Sequence, residues 1–257
     1  MPNHVMNRLT FECPQERLDE ILAAICYDAD SEVGECTGPG TIDFNKIIPM
    51  PPSLDIESGS RTITGINLYL TSINPEVPYY GTEKMDQDAF HALLANLGKV
   101  NYYYAAKPNL TMEEIDRCTQ YNSAEELLQL GKAAVENKLQ YGAVTWYEWR
   151  TRPDTWNTKW NSYYPEDYSG GDEIAFQTAW SPPHPIIQKV SEMFPDVLIQ
   201  HRWANEDPMM DTGYRHYFDG EEIESYTPVT DQEHMDMSAD VWMFDPEESE
   251  VEDFEQT

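Results

Sequence analysis

The stretch from Asp172 to Trp203 constrains the fold of this chain more than any other, because it has the pattern of a strand, a helix and a second strand. Ile174, Phe176 and Thr178 alternate with smaller or polar residues, which is the period of two of a half-buried strand. Residues 197–203 have a similar β-branched and aromatic content. Prolines 182, 183 and 185 fit only the first turn of the intervening helix, which Pro195 ends.

This helix is short for a crossover between adjacent parallel strands. We therefore expect its two flanking strands to be parallel but separated by a third strand, as in a split βαβ unit.

An earlier part of the chain predicts a similar unit. Residues 4–11 have the composition of a strand, Pro14 opens a helix that runs to Cys26, and residues 41–48 form a third predicted strand that ends at Pro49. The resulting order, βαββαβ, predicts an α+β fold with a ferredoxin-like antiparallel sheet, provided that most of the chain between the two units is an insertion.

The insertion, at about residues 54–145, is predicted to be mainly helical. Residues 85–97 are amphipathic, and two capping boxes, Thr111 with Glu114 and Ser123 with Glu126, announce two further helices. Residues 54–80 carry weak signals, with a hairpin suggested at Asn74-Pro75. The predicted organisation is a ferredoxin-like domain over residues 1–218, which contains this insertion, and an acidic, flexible tail over residues 219–257.

The composition indicates a globular, cytoplasmic protein. The sequence contains no run of 18 apolar residues and no charged and apolar start typical of a signal peptide, so no membrane association is expected. Its four cysteines, 13, 26, 36 and 118, lack close spacing and suit reduced thiols.

Charge is the strongest compositional signal: 47 acidic and 16 basic residues give a net charge of −31. Such a chain repels nucleic acid and anionic membranes, so no direct nucleic-acid binding is expected. One interpretation is solubility alone. The other is a surface that imitates a polyanion and occupies the basic groove of a nucleic-acid-binding protein.

The C-terminal segment is the predicted partner-binding site. Residues 219–257 hold fifteen acidic residues and no Lys or Arg. Aromatic residues would anchor the partner and carboxylates would steer it. The candidate residues are Trp242, Phe244, Asp245, Glu247, Glu248, Glu250, Glu252, Asp253 and Phe254. The alternative is a solvated tail.

An aromatic cluster supplies a second candidate site. Residues 146–164 hold four tryptophans, three tyrosines and three cations, a mixture that can stack bases or sugars. The candidate ligand-binding residues are Trp156, Lys159, Trp160 and Asn161. The competing and preferred interpretation is a rigid cluster that fastens the insertion to the sheet.

No catalytic signature, metal motif or cofactor fingerprint is present. The six histidines lack metal-ligand spacing, although His201 and His216 would face each other if their segments paired. Carboxylate pairs such as Glu166 and Asp167 leave a metal-dependent hydrolase as a third hypothesis, but 47 acidic residues supply such pairs by chance.

Four blocks of the sequence resemble a family of uncharacterised proteins of bacteriophages and conjugative plasmids, with a ferredoxin-like domain of the YubB type. The blocks are MPNHVMNRLTFE, IDFNKIIPMPPSLDI, WNTKWN and FQTAWSPPHPIIQKVSEMFPDV. The resemblance implies the fold and a mobile-element origin, and it implies no catalytic residues. Asn157 departs from the family pattern, which has glycine there.

These observations together favour a binding protein over an enzyme. The first hypothesis is a phage- or plasmid-encoded inhibitor that binds a host nucleic-acid-handling or defence protein through an acidic, DNA-mimic-like surface. The alternative is a small-ligand or nucleic-acid module that uses the aromatic cluster.

Overall fold

A computed structural model describes residues 3–27, 42–100, 105–164 and 171–244. The chain divides into two units, of which the first joins Met1–Pro49 to Arg150–Thr257 and the second is Met50–Trp149. The sequence placed the insertion at about residues 54–145. Within the described residues the regular elements, in chain order, are β1 (His4–Glu12), α1 (Gln15–Ile25), α2 (Phe44–Ile47), a 3-10 turn (Pro52–Leu54), α3 (Ser60–Ile73), α4 (Gln87–Leu97), α5 (Met112–Thr119), α6 (Ala124–Tyr141), α7 (Trp146–Arg150), β2 (Glu173–Ala179), α8 (His184–Met193), β3 (Leu198–Asn205), β4 (Thr212–Phe218), β5 (Glu221–Tyr226) and α9 (Asp231–Trp242).

The sheet of the first unit confirms the predicted split βαβ unit. Its strand order is β2-β1-β3-β4-β5, and all neighbouring strands are antiparallel. β2 and β3, which α8 connects, are therefore parallel to each other and separated by β1.

The two faces of the sheet carry different helices. Leu9 lies opposite His201 and Met6 lies opposite Ala204, and the alternation of a strand places these two pairs on opposite faces. α8 covers the His201 face, where His184 contacts the His201 ring. α9 covers the other face, where Val241 packs with Met6, Ala175 and Ala204.

The strand predicted at residues 41–48 is wrong. Asp43 caps α2 by accepting a hydrogen bond from the Asn45 amide, and Ile42 forms only an isolated bridge with Cys26. Phe44 is fully buried against the rings of Trp156 and Phe176. A local side-chain cap and this packing override the strand propensity of the segment.

In the second unit α3 and α6 pack against each other through two glycines. A Cβ at Gly131 would lie 2.0 Å from the carbonyl oxygen of Gly65. The two helices can therefore pack this closely only because glycine has no side chain at these positions. α3 replaces the weak segment and the hairpin expected at residues 54–80. Its Thr and Ile residues and Gly65 have low helix propensity, and tertiary packing overcomes it.

Residues 219–244 contain regular secondary structure, where the sequence predicts a flexible tail. Residues 221–226 form the outermost strand and residues 231–242 form α9. The acidic composition of these residues resembles that of a flexible tail because most of their side chains are exposed. Only a few apolar residues of α9, such as Val241 and Ala239, are buried and hold the helix to the sheet. No helix among the described residues is long and apolar enough to cross a membrane.

Candidate functional site

The C-terminal strand and helix of the first unit form a surface of one charge, which we call the acidic edge (residues 219–244). It contains eight carboxylates and no Lys or Arg. Among the described residues β5 pairs with β4 on one side only, and five of its six residues are exposed. Within the acidic edge, β5 thus presents negative charge at the border of the sheet, and α9 presents it above one face.

Four of these carboxylates have partners within the fold. Glu222 pairs with Arg215 at 3.1 Å, Glu224 lies 3.0 Å from His216 Nδ1, and Asp240 pairs with Arg202. Hydrogen bonds from the Val229 and Thr230 amides lower the pKa of Glu233, which completes the capping box of α9.

The other four carboxylates, Asp219, Glu221, Asp231 and Asp236, are exposed. None of them forms an ion pair with a described residue. They are the members of the acidic edge that remain able to meet a partner's cations.

A buried ionic network fixes α9 to the sheet. Arg8 is only 2% exposed, and its Nε donates to the Val241 carbonyl at 2.6 Å, at the C-terminal end of α9. Its guanidinium also binds Glu173 at 3.0 Å, and Glu173 binds Arg202 at 2.6 Å. A cation at a helix C-terminus interacts favourably with the helix dipole. Arg8 is thus fully engaged beneath the helix, and Arg202 is shared between Glu173 and Asp240, which leaves Asp231 and Asp236 of α9 without an ion pair to a described residue.

Trp242 contacts the core of the first unit and is not an exposed anchor for a partner. Its Nε1 donates to the carbonyls of Ala204 and Asn205, each at 3.1 Å, and its half-buried ring packs beside Val241. Phe244 is half-buried, and its amide binds the Ala239 carbonyl. The other residues of the predicted partner-binding set, from Asp245 to Phe254, lie outside the described residues.

The four residues of the second candidate site separate into two pairs. Trp156 is fully buried, its Nε1 donates to the Ile48 carbonyl at 2.8 Å, and the Arg150 guanidinium lies 4.5 Å from its ring centroid. Asn161 accepts from the Phe44 amide and donates to Asp43. Both side chains are held by contacts within the first unit: Trp156 is fully buried, and the half-buried Asn161 uses its amide for internal hydrogen bonds.

Lys159 and Trp160 instead lie on the surface together with Trp180, which the sequence did not associate with them. The Lys159 ammonium is 4.7 Å from the Trp160 ring centroid and 4.9 Å from that of Trp180. The two indoles are 36% and 41% exposed. We call these three residues the aromatic–lysine platform. The signal that could have suggested Trp180 is its place directly after a strand, where side chains of the connecting loop reach the surface.

A pair of histidines lies between α8 and the sheet, with His201 fully buried and His184, the first residue of α8, half-buried. The ring centroids of His184 and His201 are 5.4 Å apart, and Trp203 contacts both rings. Burial lowers the pKa of His184 to about 3 and that of His201 well below 6.5. His201 Nε2 bonds Asn7 Oδ1 at 3.0 Å, whereas the Nδ1 atoms of both histidines lack a hydrogen-bond partner. The rings are thus neutral parts of the core.

His201 and His216 do not face each other, although their segments pair. β3 does pair with β4, but His201 lies opposite Arg215 and His216 lies opposite Gln200. Among the described residues no three His, Cys, Asp or Glu side chains are grouped so that they could hold a metal ion.

Comparisons with known proteins bear on the fold. A family model described as the ferredoxin-like domain in Api92-like protein matches residues 155–245. The crystal structure of a protein api92 from Yersinia pseudotuberculosis is similar over 90% of this chain and 99% of that chain, with 12% identity and a TM-score of 0.40. No curated protein matches. The family model covers β2 to β5 and α9, and with the strand order it confirms the predicted ferredoxin-like α+β class.

Proposed function

We propose that this chain is an inhibitor, carried by a phage or conjugative plasmid, that binds a host nucleic-acid-handling or defence protein and imitates DNA. The acidic edge would occupy the basic groove that normally holds the nucleic acid. The mobile-element origin is supported by the four sequence blocks described above.

The observation that carries this proposal is the uneven distribution of charge. The second unit, Met50–Trp149, has 13 acidic and 7 basic residues, a net charge of −6. The first unit has 34 acidic and 9 basic residues, a net charge of −25. Solubility alone does not require one unit to carry most of the charge, whereas a surface that competes with DNA does.

The cations of the first unit are largely paired within it, so few of them are left to repel a basic partner. Arg17 pairs with Glu20 and Asp196, and Lys189 pairs with Glu192. The arginines below α9 are paired in the same way. A basic partner would therefore meet carboxylates with few competing cations, and electrostatic attraction would speed its association.

The test is competition with DNA for bacterial DNA-binding proteins. Proteins from a bacterial lysate are retained on DNA-cellulose at low salt, and the purified chain is added as the eluent. A DNA mimic releases a defined subset of these proteins, and excess soluble DNA prevents their association with the chain. Release should fall steeply as salt rises, because screening shortens the reach of exposed charges to about 10 Å at 0.1 M.

A matched pair of charge variants separates the acidic edge from net charge. The edge variant neutralises the four exposed and unpaired carboxylates: Asp219→Asn, Glu221→Gln, Asp231→Asn and Asp236→Asn. The control removes four exposed charges from the second unit: Glu83→Gln, Asp88→Asn, Asp116→Asn and Glu125→Gln. The edge set includes one acidic residue in the first turn of a helix, Asp231, and the control set includes two, Asp88 and Glu125, so the loss of helix stability should be at least as large in the control.

The edge variant should lose release and the control should retain it. A chain that ends at Phe244 tests the contribution of the last acidic residues and keeps Val241 and Trp242 in the fold. Equal loss in both charge variants would reduce the proposal to a nonspecific charge effect. No release by the wild-type chain would reject it.

A further inference from the structure

The aromatic–lysine platform stands on a loop that is held in place by hydrogen bonds. Thr158 Oγ1 donates to the Ala179 carbonyl at 2.8 Å and accepts from the Ala179 amide at 3.2 Å. Asn157 Nδ2 donates to the Pro182 carbonyl at 3.0 Å, and Ser181 Oγ donates to the Asn157 carbonyl. Residues 157–160 and 179–182 are therefore joined as one rigid support, which reduces the entropy lost when a ligand binds.

The same support contains strained backbone. Among the described residues five that are not glycine have a positive φ, and two of them, Asn157 and Trp180, lie in this support. Trp180 has a φ of 76° although it is bulky, and its indole is held at the surface. Strained residues of this kind persist where the surrounding structure enforces them, and they cluster at binding sites.

Lys159 differs from most cations of the first unit because it has no acidic partner among the described residues. No carboxylate of a described residue lies within 4 Å of its ammonium, although the chain has 47 acidic residues. Its charge is held by the two indole rings, and cation–π attraction does not neutralise it. The platform therefore combines two partly exposed indoles with a positive charge that no described carboxylate pairs.

The chemistry of the platform selects among ligands. A sugar requires amide or carboxylate groups for its hydroxyls, but the nearby amides of Asn157 and Asn161 are used within the fold. A ligand that pairs a flat ring with an anion can use both features, with the ring on an indole and the anion on Lys159. We propose that the aromatic–lysine platform binds a free mononucleotide, with its base stacked on an indole and its phosphate on the Lys159 ammonium.

The charge of the first unit decides between a free nucleotide and a strand of nucleic acid. A strand carries one phosphate per nucleotide and would extend over a unit whose net charge is −25. A mononucleotide places its phosphate at Lys159 and extends no further. At physiological salt the repulsion from carboxylates beyond about 8 Å is largely screened, so the small ligand is tolerated.

Adenosine 5′-monophosphate is the probe, measured by saturation-transfer NMR and titration calorimetry on the full chain. Trp180→Gly removes one indole and relieves the positive φ, which offsets part of the stability lost with the packing of the ring. Lys159→Met removes the charge but keeps the stem. Tyr121→Ala is the control, because it removes an aromatic ring that is 86% exposed on the second unit. Thermal melts verify that each variant is folded.

Both platform variants should weaken binding of adenosine monophosphate by at least about fivefold, and Tyr121→Ala should leave it unchanged. Adenosine without phosphate should bind more weakly than the monophosphate and should be insensitive to Lys159→Met, because that substitution acts on the phosphate. No binding at millimolar nucleotide, or binding indifferent to both variants, would overturn the proposal. Tighter binding of a short single-stranded oligoadenylate with the same variant losses would also overturn it and assign the platform to nucleic acid.

This inference is independent of the inhibitor proposal. The platform variants leave the acidic edge unchanged, and the edge variant leaves Lys159, Trp160 and Trp180 unchanged. Failure in the nucleotide titration and failure in the DNA-cellulose assay are therefore distinct results.

Discussion

Replacement of His184 by Phe should make folding of this chain less sensitive to acid. His184 begins α8, and its ring contacts those of His201 and Trp203, with centroid distances of 5.4 and 4.5 Å. Its Nδ1 is buried without a hydrogen-bond partner. Phe keeps a ring of similar size in this place and cannot take up a proton.

The magnitude follows from the pKa of His184. Burial, with a smaller contribution from the Arg215 charge, lowers this pKa from 6.5 to about 3. In the unfolded chain His184 takes up a proton as the pH falls below 6.5, while in the folded chain it stays neutral until about pH 3. Stability is therefore lost over this interval, by about 2 kcal/mol at pH 5 from His184 alone.

Urea unfolding of the wild type and of His184→Phe at a series of pH values from 7.5 to 5 measures the effect. The acidic surface contributes its own pH dependence to both proteins, so only the difference between their free energies of unfolding is used. That difference should shift by about 2 kcal/mol in favour of the variant as the pH falls. The control is His91→Gln, which changes an exposed histidine on α4.

A constant difference between wild type and variant across this range would refute the reasoning, because it would mean that His184 binds protons equally well in the folded and unfolded states. An equal shift in His91→Gln would attribute the effect to surface charge instead. His201, which contacts His184 and hydrogen-bonds Asn7, adds to the acid sensitivity of both proteins.

Two further predictions concern stability. Glu173→Gln should lower the free energy of unfolding in urea by about 2 to 3 kcal/mol, because it leaves the buried Arg8 without its carboxylate. Its control, Glu192→Gln, breaks an exposed pair with Lys189 and should cost under about 1 kcal/mol. Equal effects of the two substitutions would mean that the network under α9 is not buried in solution. Gly131→Ala should lower the melting temperature by several degrees, since overpacking costs about 1 to 3 kcal/mol and the new methyl would meet the Gly65 carbonyl. Gly171→Ala, where an added Cβ meets nothing within 4 Å, is its control, and an unchanged melt of Gly131→Ala would show that α3 and α6 are farther apart than described.

Much of the first unit could be predicted from local signals. The alternation in β2, the prolines before α8 and the short length of that helix together predicted a split βαβ unit, and the strand order confirms it. The capping boxes at Thr111 and Ser123 predicted the start of α5 and α6, where both side chains accept the expected backbone hydrogen bonds. These signals succeed because capping and periodicity depend on residues within one or two turns of each other.

The candidate sites were less predictable for the same reason. Lys159 and Trp160 were singled out by composition, but the third member of the platform, Trp180, lies twenty positions away and joins them only because Thr158 bonds the end of β2. Composition equally included Trp156, which the fold buries. Spacing along a chain does not distinguish an aromatic ring that faces the core from one that faces solvent.

The sequence by itself determined the charge of this protein, its ferredoxin-like strand pattern and the helices that local caps announce. Tertiary structure decided which charges are paired, because it places Arg8 and Arg202 against Glu173 and Asp240 and leaves Asp231 and Asp236 exposed. It also made Phe44–Ile47 a helix and residues 231–242 part of the domain. In each case the deciding free energy comes from contacts between residues distant in the chain, which no local pattern records.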